Sequence, residues 1–226
     1  MRKLLLILVL IPLLISCCKN KANLSNEGII TYKIRYSDEV LSKSFASFLP
    51  TQMISTFKEN DYKLTIKGNI SLYKLEYISR AQGDSSSTLF RIFDKRMFYN
   101  HKKGEHLFLF ENFEKTKLEY FDSEIKTIAG RPCKKVVVHF NNPELKSITV
   151  YYTEDLRFKR PKENSPFDKI PGTLMEFSLE YKGLNLTFEA ERIDLKKINR
   201  KVFLIPENYA LSEHGEIGEI VGALIQ

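Results

Sequence analysis

The stretch Met175-Glu176-Phe177-Ser178-Leu179-Glu180-Tyr181-Lys182-Gly183-Leu184-Asn185-Leu186-Thr187-Phe188-Glu189-Ala190-Glu191 decides the fold. Met175, Phe177, Leu179 and Tyr181 alternate with Glu176, Ser178 and Glu180. After Lys182-Gly183 the alternation resumes, with Leu184, Leu186, Phe188 and Ala190 set against Asn185, Thr187, Glu189 and Glu191. A period of two puts each set on one face of an extended strand, so both strands are apolar on one side and wet on the other. Two residues ending in Gly between such runs predict an antiparallel hairpin, because Gly accepts the positive φ of a tight primed turn.

The same period recurs on both sides of the hairpin. Ile30, Tyr32, Ile34 and Tyr36 alternate with Thr31, Lys33 and Arg35, and Ile148, Val150 and Tyr152 alternate with Thr149, Tyr151 and Thr153. Between Thr88 and Phe113 the pattern changes: Leu89, Phe90, Ile92, Phe93, Met97, Phe98 and Tyr99 do not alternate, nor do Leu107 to Phe110. Such runs predict strands covered on both faces, parted by turns at 94–96 and 101–104. Two segments read as the cover. One is a short helix from Val40 to Phe48, before Pro50. The other is a C-terminal helix over 211–225, with Ser212 as N-cap, Glu213 and Glu216 in its first turn, and Ile217, Ile220, Val221 and Leu224 at helical spacing. Gly215, Gly218 and Gly222 cost that helix about 1 kcal/mol each relative to Ala, so it forms only when docked. The expectation is a mainly β (α+β) single domain over 27–226.

The N-terminus carries a different message. Arg2 and Lys3 precede twelve residues without a polar side chain, Leu4 to Ile15. A bilayer core needs about 20 helical residues, so this run is too short to span and matches the h-region of an export signal. Leu14-Ile15-Ser16-Cys17 resembles the lipobox of bacterial lipoproteins. That resemblance implies a signal peptide over 1–16, lipidation of Cys17, and a flexible tether over 17–26. A triacylated Cys17 is a firm anchor, since one chain is marginal and two or more hold. No Asp follows Cys17 and the tether has no acidic cluster, which points to the outer membrane with the domain facing the periplasm.

The chain has 226 residues, 43% hydrophobic and 28% charged, which suits a globular domain rather than a disordered one. Net charge is +7, or +5 once Arg2 and Lys3 leave with the signal. Basic residues alternate with acidic ones along the strands, as in Lys33, Arg35, Lys74, Glu76, Glu189 and Glu191. This reads as a solvated surface without a nucleic-acid stripe, while Lys19 and Lys21 favour acidic headgroups beside the anchor. Of the three cysteines, Cys133 reads as a small apolar strand residue with no activating neighbour.

Ile128-Ala129-Gly130-Arg131-Pro132-Cys133-Lys134-Lys135 leads into a strand, Val150 to Leu156 follows, then Ser165 to Phe177 with Lys169-Ile170-Pro171-Gly172-Thr173-Leu174 at its centre. With Phe203-Leu204-Ile205-Pro206-Glu207-Asn208-Tyr209 as an ending, this order resembles the bacterial lipoproteins and secreted proteins of the domain of unknown function 4412 group. It also resembles the related proteins named for a Gly-Leu-Pro-Gly-Leu-Ile signature, of which this chain keeps part. The resemblance spans Gly28 to Tyr209. It implies a fold like the lipoprotein carriers LolA and LolB, a single curved antiparallel half-barrel wrapped around one or two short helices, and supplies no catalytic residue. Pro171-Gly172 reads as a sharp turn before the next strand.

Sixteen Phe and eleven Tyr with no Trp would line such a half-barrel with apolar surface. The candidate groove residues, chosen for their density, are Tyr73, Leu75, Tyr77, Phe90, Ile92, Phe98 and Phe108, and the expected ligand is a lipid or other apolar molecule. His101 and His106 flank a Gly turn beside Glu105 without a third ligand cluster, so no metal or cofactor is expected. His214 has no partner in sequence. No Gly-x-Ser-x-Gly elbow, phosphate loop, dinucleotide fingerprint or His-Glu-x-x-His motif occurs, so the chain is read as non-enzymatic. Two other readings stand: an envelope interaction or assembly protein with a solid core and no small ligand, and a hydrolase without an identifiable motif.

Overall fold

Lys182 and Gly183 both take left-handed backbone, φ 48° and 79°, and close the hairpin between β10 (Thr173–Tyr181) and β11 (Leu184–Asp194). Leu179 faces Leu186 and Phe177 faces Phe188, whose rings stack at 4.9 Å. The structure, a computed structural model, describes residues 26–68, 72–81, 85–103, 105, 116–142, 145–156 and 165–224. The expected signal peptide over 1–16, Cys17, Cys18, His106 and Phe108 lie outside them, as does the expected tether except Asn26.

Two meanders meet on either side of the first strand. Strand β1 (Glu27–Tyr36) is followed by β2 (Pro50–Lys58), β3 (Asp61–Gly68), β4 (Tyr73–Arg80), β5 (Ser85–Ile92) and β6 (Lys95–His101), each antiparallel to the last. The chain then passes to the far edge with β7 (Thr116–Ile128). It returns through β8 (Arg131–Phe140) and β9 (Ile148–Thr153) to the β10–β11 hairpin, which pairs with β1. A two-residue strand β12 (Ala210–Leu211) runs parallel beside β6. The result is one sheet of order β12-β6-β5-β4-β3-β2-β1-β11-β10-β9-β8-β7. It curves far enough that β7 meets β11. The mainly β domain expected from the alternation, and the curved sheet implied by the resemblance, are therefore present, with one parallel pair at the sheet's edge.

The inner face carries Ile30, Tyr32 and Ile34 of β1, Met53 and Phe57 of β2, and Phe177 and Phe188 of the hairpin, all in one buried cluster. Phe167 and Ile170, from the turns before β10, fill the hollow beside them, and the Tyr32 hydroxyl donates to the Leu174 carbonyl across the core. Cys133 joins this cluster fully buried, and burial first of all pushes its thiol up to about 11. Edge strand β7 is mostly exposed and studded with Lys117, Glu119, Asp122, Glu124 and Lys126, with an irregular register between Phe121 and Ile125. Charge and irregularity blunt such an edge against further pairing.

Covering elements differ from the sequence expectation in extent. The first helix is one turn, α1 (Asp38–Leu41), with a 3-10 turn at Ala46–Phe48. They are pinned by Tyr36 Oη donating to Pro50 O and Tyr73 Oη donating to Phe48 O. The C-terminal helix α2 is Glu216–Ala223, shorter than 211–225. Its N-cap is Gly215 at φ 84° because Ser212 is taken: its N–H and hydroxyl both donate to the Phe98 carbonyl, continuing the β12 edge. No helix among the described residues is long and apolar enough to cross a membrane.

Candidate functional site

Strands β5 and β6 pack apolar side chains on both faces, as the unbroken run predicts. Leu89 and Phe90 are adjacent and both fully buried. Leu89 packs outward with Ile78, Phe98, Ile198 and Phe203, where the chain from 198 to 209 crosses the outer face. Phe90 packs inward with Met97 and Ile217, ringed by Tyr73, Leu75, Ile92, Tyr99, Ile220, Val221 and Leu224. The inner face here is thus an apolar groove whose occupant is α2.

Of the expected groove residues, Tyr73, Leu75, Phe90 and Ile92 come together on this inner face. Tyr77 lies on the same face, one register further, its ring edge-on to that of His101 with centroids 5.8 Å apart. Phe98 does not join them: it points outward into the opposite cluster. In an unbroken apolar run both parities look alike, so only the ladder assigns the face.

The polar end of the groove is a cluster that the linear sequence concealed. His101, at the end of β6, is nearly buried, with Nε2 2.8 Å from Thr88 Oγ1. Its buried Nδ1 lacks a hydrogen bond and stands 3.8 Å from Glu105 Oε1. The same carboxylate lies 3.0 Å from His214 Nε2 and accepts from Tyr99 Oη at 3.0 Å and Lys102 N at 2.8 Å. Burial lowers the His101 pKa, more than Glu105 raises it, and His214 adds to the lowering. Burial alone would raise Glu105, but the two donors and two imidazoles hold it below the ordinary carboxylate value. His214 sits just before α2, so this cluster ties the start of the helix to the end of β6. No group of three His, Cys, Asp or Glu side chains converges in metal-binding geometry among the described residues.

Strands β9 and β10 pair only from Thr173 to Glu176. Beyond that, a cleft of about 980 Å³ separates Ile148 and Thr149 from Ser178 to Tyr181, with His214 and Gly218 at its rim. On the same side, His139 Nδ1 is 2.9 Å from Ser147 Oγ and its Nε2 is 2.9 Å from Glu119 Oε2. This is a Ser–imidazole–carboxylate chain drawn from β7, β8 and the residue before β9. It lies on the open sheet surface, with His139 39% and Glu119 55% exposed. Among the described residues nothing there desolvates a nucleophile, and Ser147 has no positive-φ elbow from which to meet an oxyanion hole.

No protein-family model matches the sequence, and no curated protein matches it. Among solved structures, the chain is similar to MucB, crystallised in complex with MucA(peri), at 10% identity and a TM-score of 0.33. The alignment covers 84% of this chain and 58% of that one, so the chain spans a little over half of MucB's length. It is also similar to a beta-barrel-like protein of domain of unknown function DUF1849 from Brucella abortus, at 7% identity and a TM-score of 0.31. That match covers 76% of this chain and 98% of the other. Both likenesses are weak and carry no residue-level correspondence.

Proposed function

We propose that this chain is a non-enzymatic lipoprotein, anchored through Cys17 to the outer membrane and facing the periplasm, whose half-barrel binds a lipid or other apolar ligand on the inner face of β4–β6. The observation that carries the reading is the seating of α2 on Phe90 and Met97. An eight-residue helix is marginal by itself, and Gly218 and Gly222 weaken it further. What holds it is the groove, so a ligand that offers more apolar surface displaces it. The layout resembling the domain of unknown function 4412 group is consistent with this reading.

Native mass spectrometry of the chain from Lys19 onward, purified without detergent, tests it beside a version ending at Ser212. A lipid-sized adduct on the shortened chain, lost on denaturation, supports the groove. Apo masses for both sink it. The anchor is tested separately: labelled palmitate must enter the wild type and not Cys17→Ser.

A second reading, an interaction module for an extended peptide, is favoured by the β10 edge beyond Glu176, where no strand among the described residues continues the ladder. Backbone groups on such an edge accept an added strand. A photo-crosslinker at Ser178 that captures a single partner at one-to-one yield supports it, and diffuse or absent products reject it.

A further inference from the structure

The outer face of β3–β6 carries a row of cations set by strand register alone. Lys67 stands opposite Lys74, Lys74 opposite Arg91, and Arg91 opposite Arg96. Neighbouring strands lie about 4.8 Å apart, so four like charges stand in a line about 14 Å long. Like charges directly opposite on paired strands repel and destabilise the sheet. A protein that needed only a wet surface here would gain by alternating signs, as it does in the Arg35–Glu189 and Lys126–Glu176 pairs.

Internal compensation is incomplete. Lys74 reaches Glu76 at 2.7 Å, but that carboxylate is shared with Lys63 at 2.8 Å. Arg96 donates to the backbone carbonyl of Asp94. Among the described residues, Lys67, Arg91 and Arg96 have no carboxylate within ion-pair distance, and Arg91 Nε is buried without a hydrogen-bond partner. The row floors a pocket of about 370 Å³ whose far wall is Pro206, Asn208 and Tyr209. Asn208 and Tyr209 bring neutral donors to the same space, and the segment carrying them is packed down by Phe203 and Ile205.

We propose that this pocket is a phosphate site, in which Lys67, Lys74, Arg91 and Arg96, faced by Asn208 and Tyr209, hold a ligand carrying two closely spaced phosphate groups. The two guanidinium forks match phosphate oxygens bidentately, the two ammonium groups supply point charges, and the length of the row exceeds what one phosphate can bridge. The site is on the opposite face of the sheet from the apolar groove and does not depend on it.

The test uses the full chain in neutral detergent micelles. In one arm inorganic pyrophosphate is titrated by calorimetry. In the other, the melting temperature is compared in micelles doped with cardiolipin and with phosphatidylcholine. Pyrophosphate binding that weakens about tenfold or more in R91Q/R96Q, and that fades in about 1 M salt where screening acts within about 3 Å, establishes the site with a soluble ligand. Stabilisation by cardiolipin, whose headgroup carries two phosphates, without a pyrophosphate response and lost in R91Q/R96Q, establishes it with a lipid headgroup. No response to either probe, or an equal response in the variant, overturns it. Removing like charges leaves the variant at least as heat-stable as wild type. Should R91Q/R96Q fail to fold, K67Q/R96Q carries the same test.

Discussion

His214 Nε2 lies 3.0 Å from Glu105 Oε1, joining the segment just before the C-terminal helix to the turn after β6. The buried His101 shares that carboxylate at 3.8 Å. His101 titrates below its ordinary 6.5 and Glu105 below its ordinary 4.5. Both folded values are depressed, so each contribution is present above the unfolded value and is lost as pH falls through the folded one. The first loss therefore comes just below 6.5 and the second below 4.5. Amide protection over 216–223, corrected for the intrinsic pH dependence of exchange, should fall as pH drops below about 6.5, ahead of the β10–β11 hairpin. H101Q should flatten that slope, and an unchanged slope would remove His101 as its cause.

Ile217 is the buried anchor of α2 against Phe90 and Met97. Truncating a buried Ile to Ala costs about 2–5 kcal/mol. Because a terminal helix can undock rather than leave a cavity, Ile217→Ala should cost about 2 kcal/mol in urea unfolding. It should also raise binding of an apolar dye, since Phe90 and Met97 become exposed.

Glu76 is 3% exposed and paired with both Lys63 and Lys74. Burial by itself would raise its pKa, yet the two ammonium groups hold it below the ordinary value. Glu76→Gln leaves both lysines uncompensated in a half-buried setting and should cost about 3 kcal/mol. The loss should vanish in acid, because the wild-type carboxylate contributes only above its folded pKa. A urea series at several pH values checks both parts.

Gly172 has φ 76°, and a Cβ there would fall on the Thr153 carbonyl, with the carbonyl carbon 2.9 Å away. Backbone cannot retreat as a flexible side chain can, and the left-handed conformation adds about 1–2 kcal/mol for any other residue. Gly172→Ala should therefore destabilise by more than about 3 kcal/mol, while Gly130→Ala, at φ 72° in open space, should lose only the conformational part. Paired thermal melts of the two variants separate the terms.

Ser147, His139 and Glu119 have hydrogen-bond spacing but no enclosed site. A fluorophosphonate probe should leave Ser147 unlabelled, and His139→Ala should leave any esterase background unchanged. Stoichiometric labelling of Ser147 would reverse the non-enzymatic reading.

The hairpin, its positive-φ turn, the two-sided burial of β5 and β6 and the turn at Gly172 were legible because each follows from local chemistry: a period of two, a residue without Cβ, an apolar run too dense for one face. The helix boundary was less so. Ser212 has the composition of an N-cap, but the Phe98 carbonyl claims its donors, and that partner is remote in sequence.

Strand type and turn positions were determined by the sequence alone, since they depend on neighbours along the chain. Which strands lie side by side was decided only in three dimensions. Lys67, Lys74, Arg91 and Arg96 each look like an ordinary solvent-facing residue in its own strand. Register across four strands aligns them into one row. Phe98 turns outward while Phe90 turns inward for the same reason. His214 finds Glu105 because the crossing segment 198–209 returns the chain to β6. Periodicity fixes the faces of one strand; adjacency between strands is a balance of long-range packing that no single segment encodes.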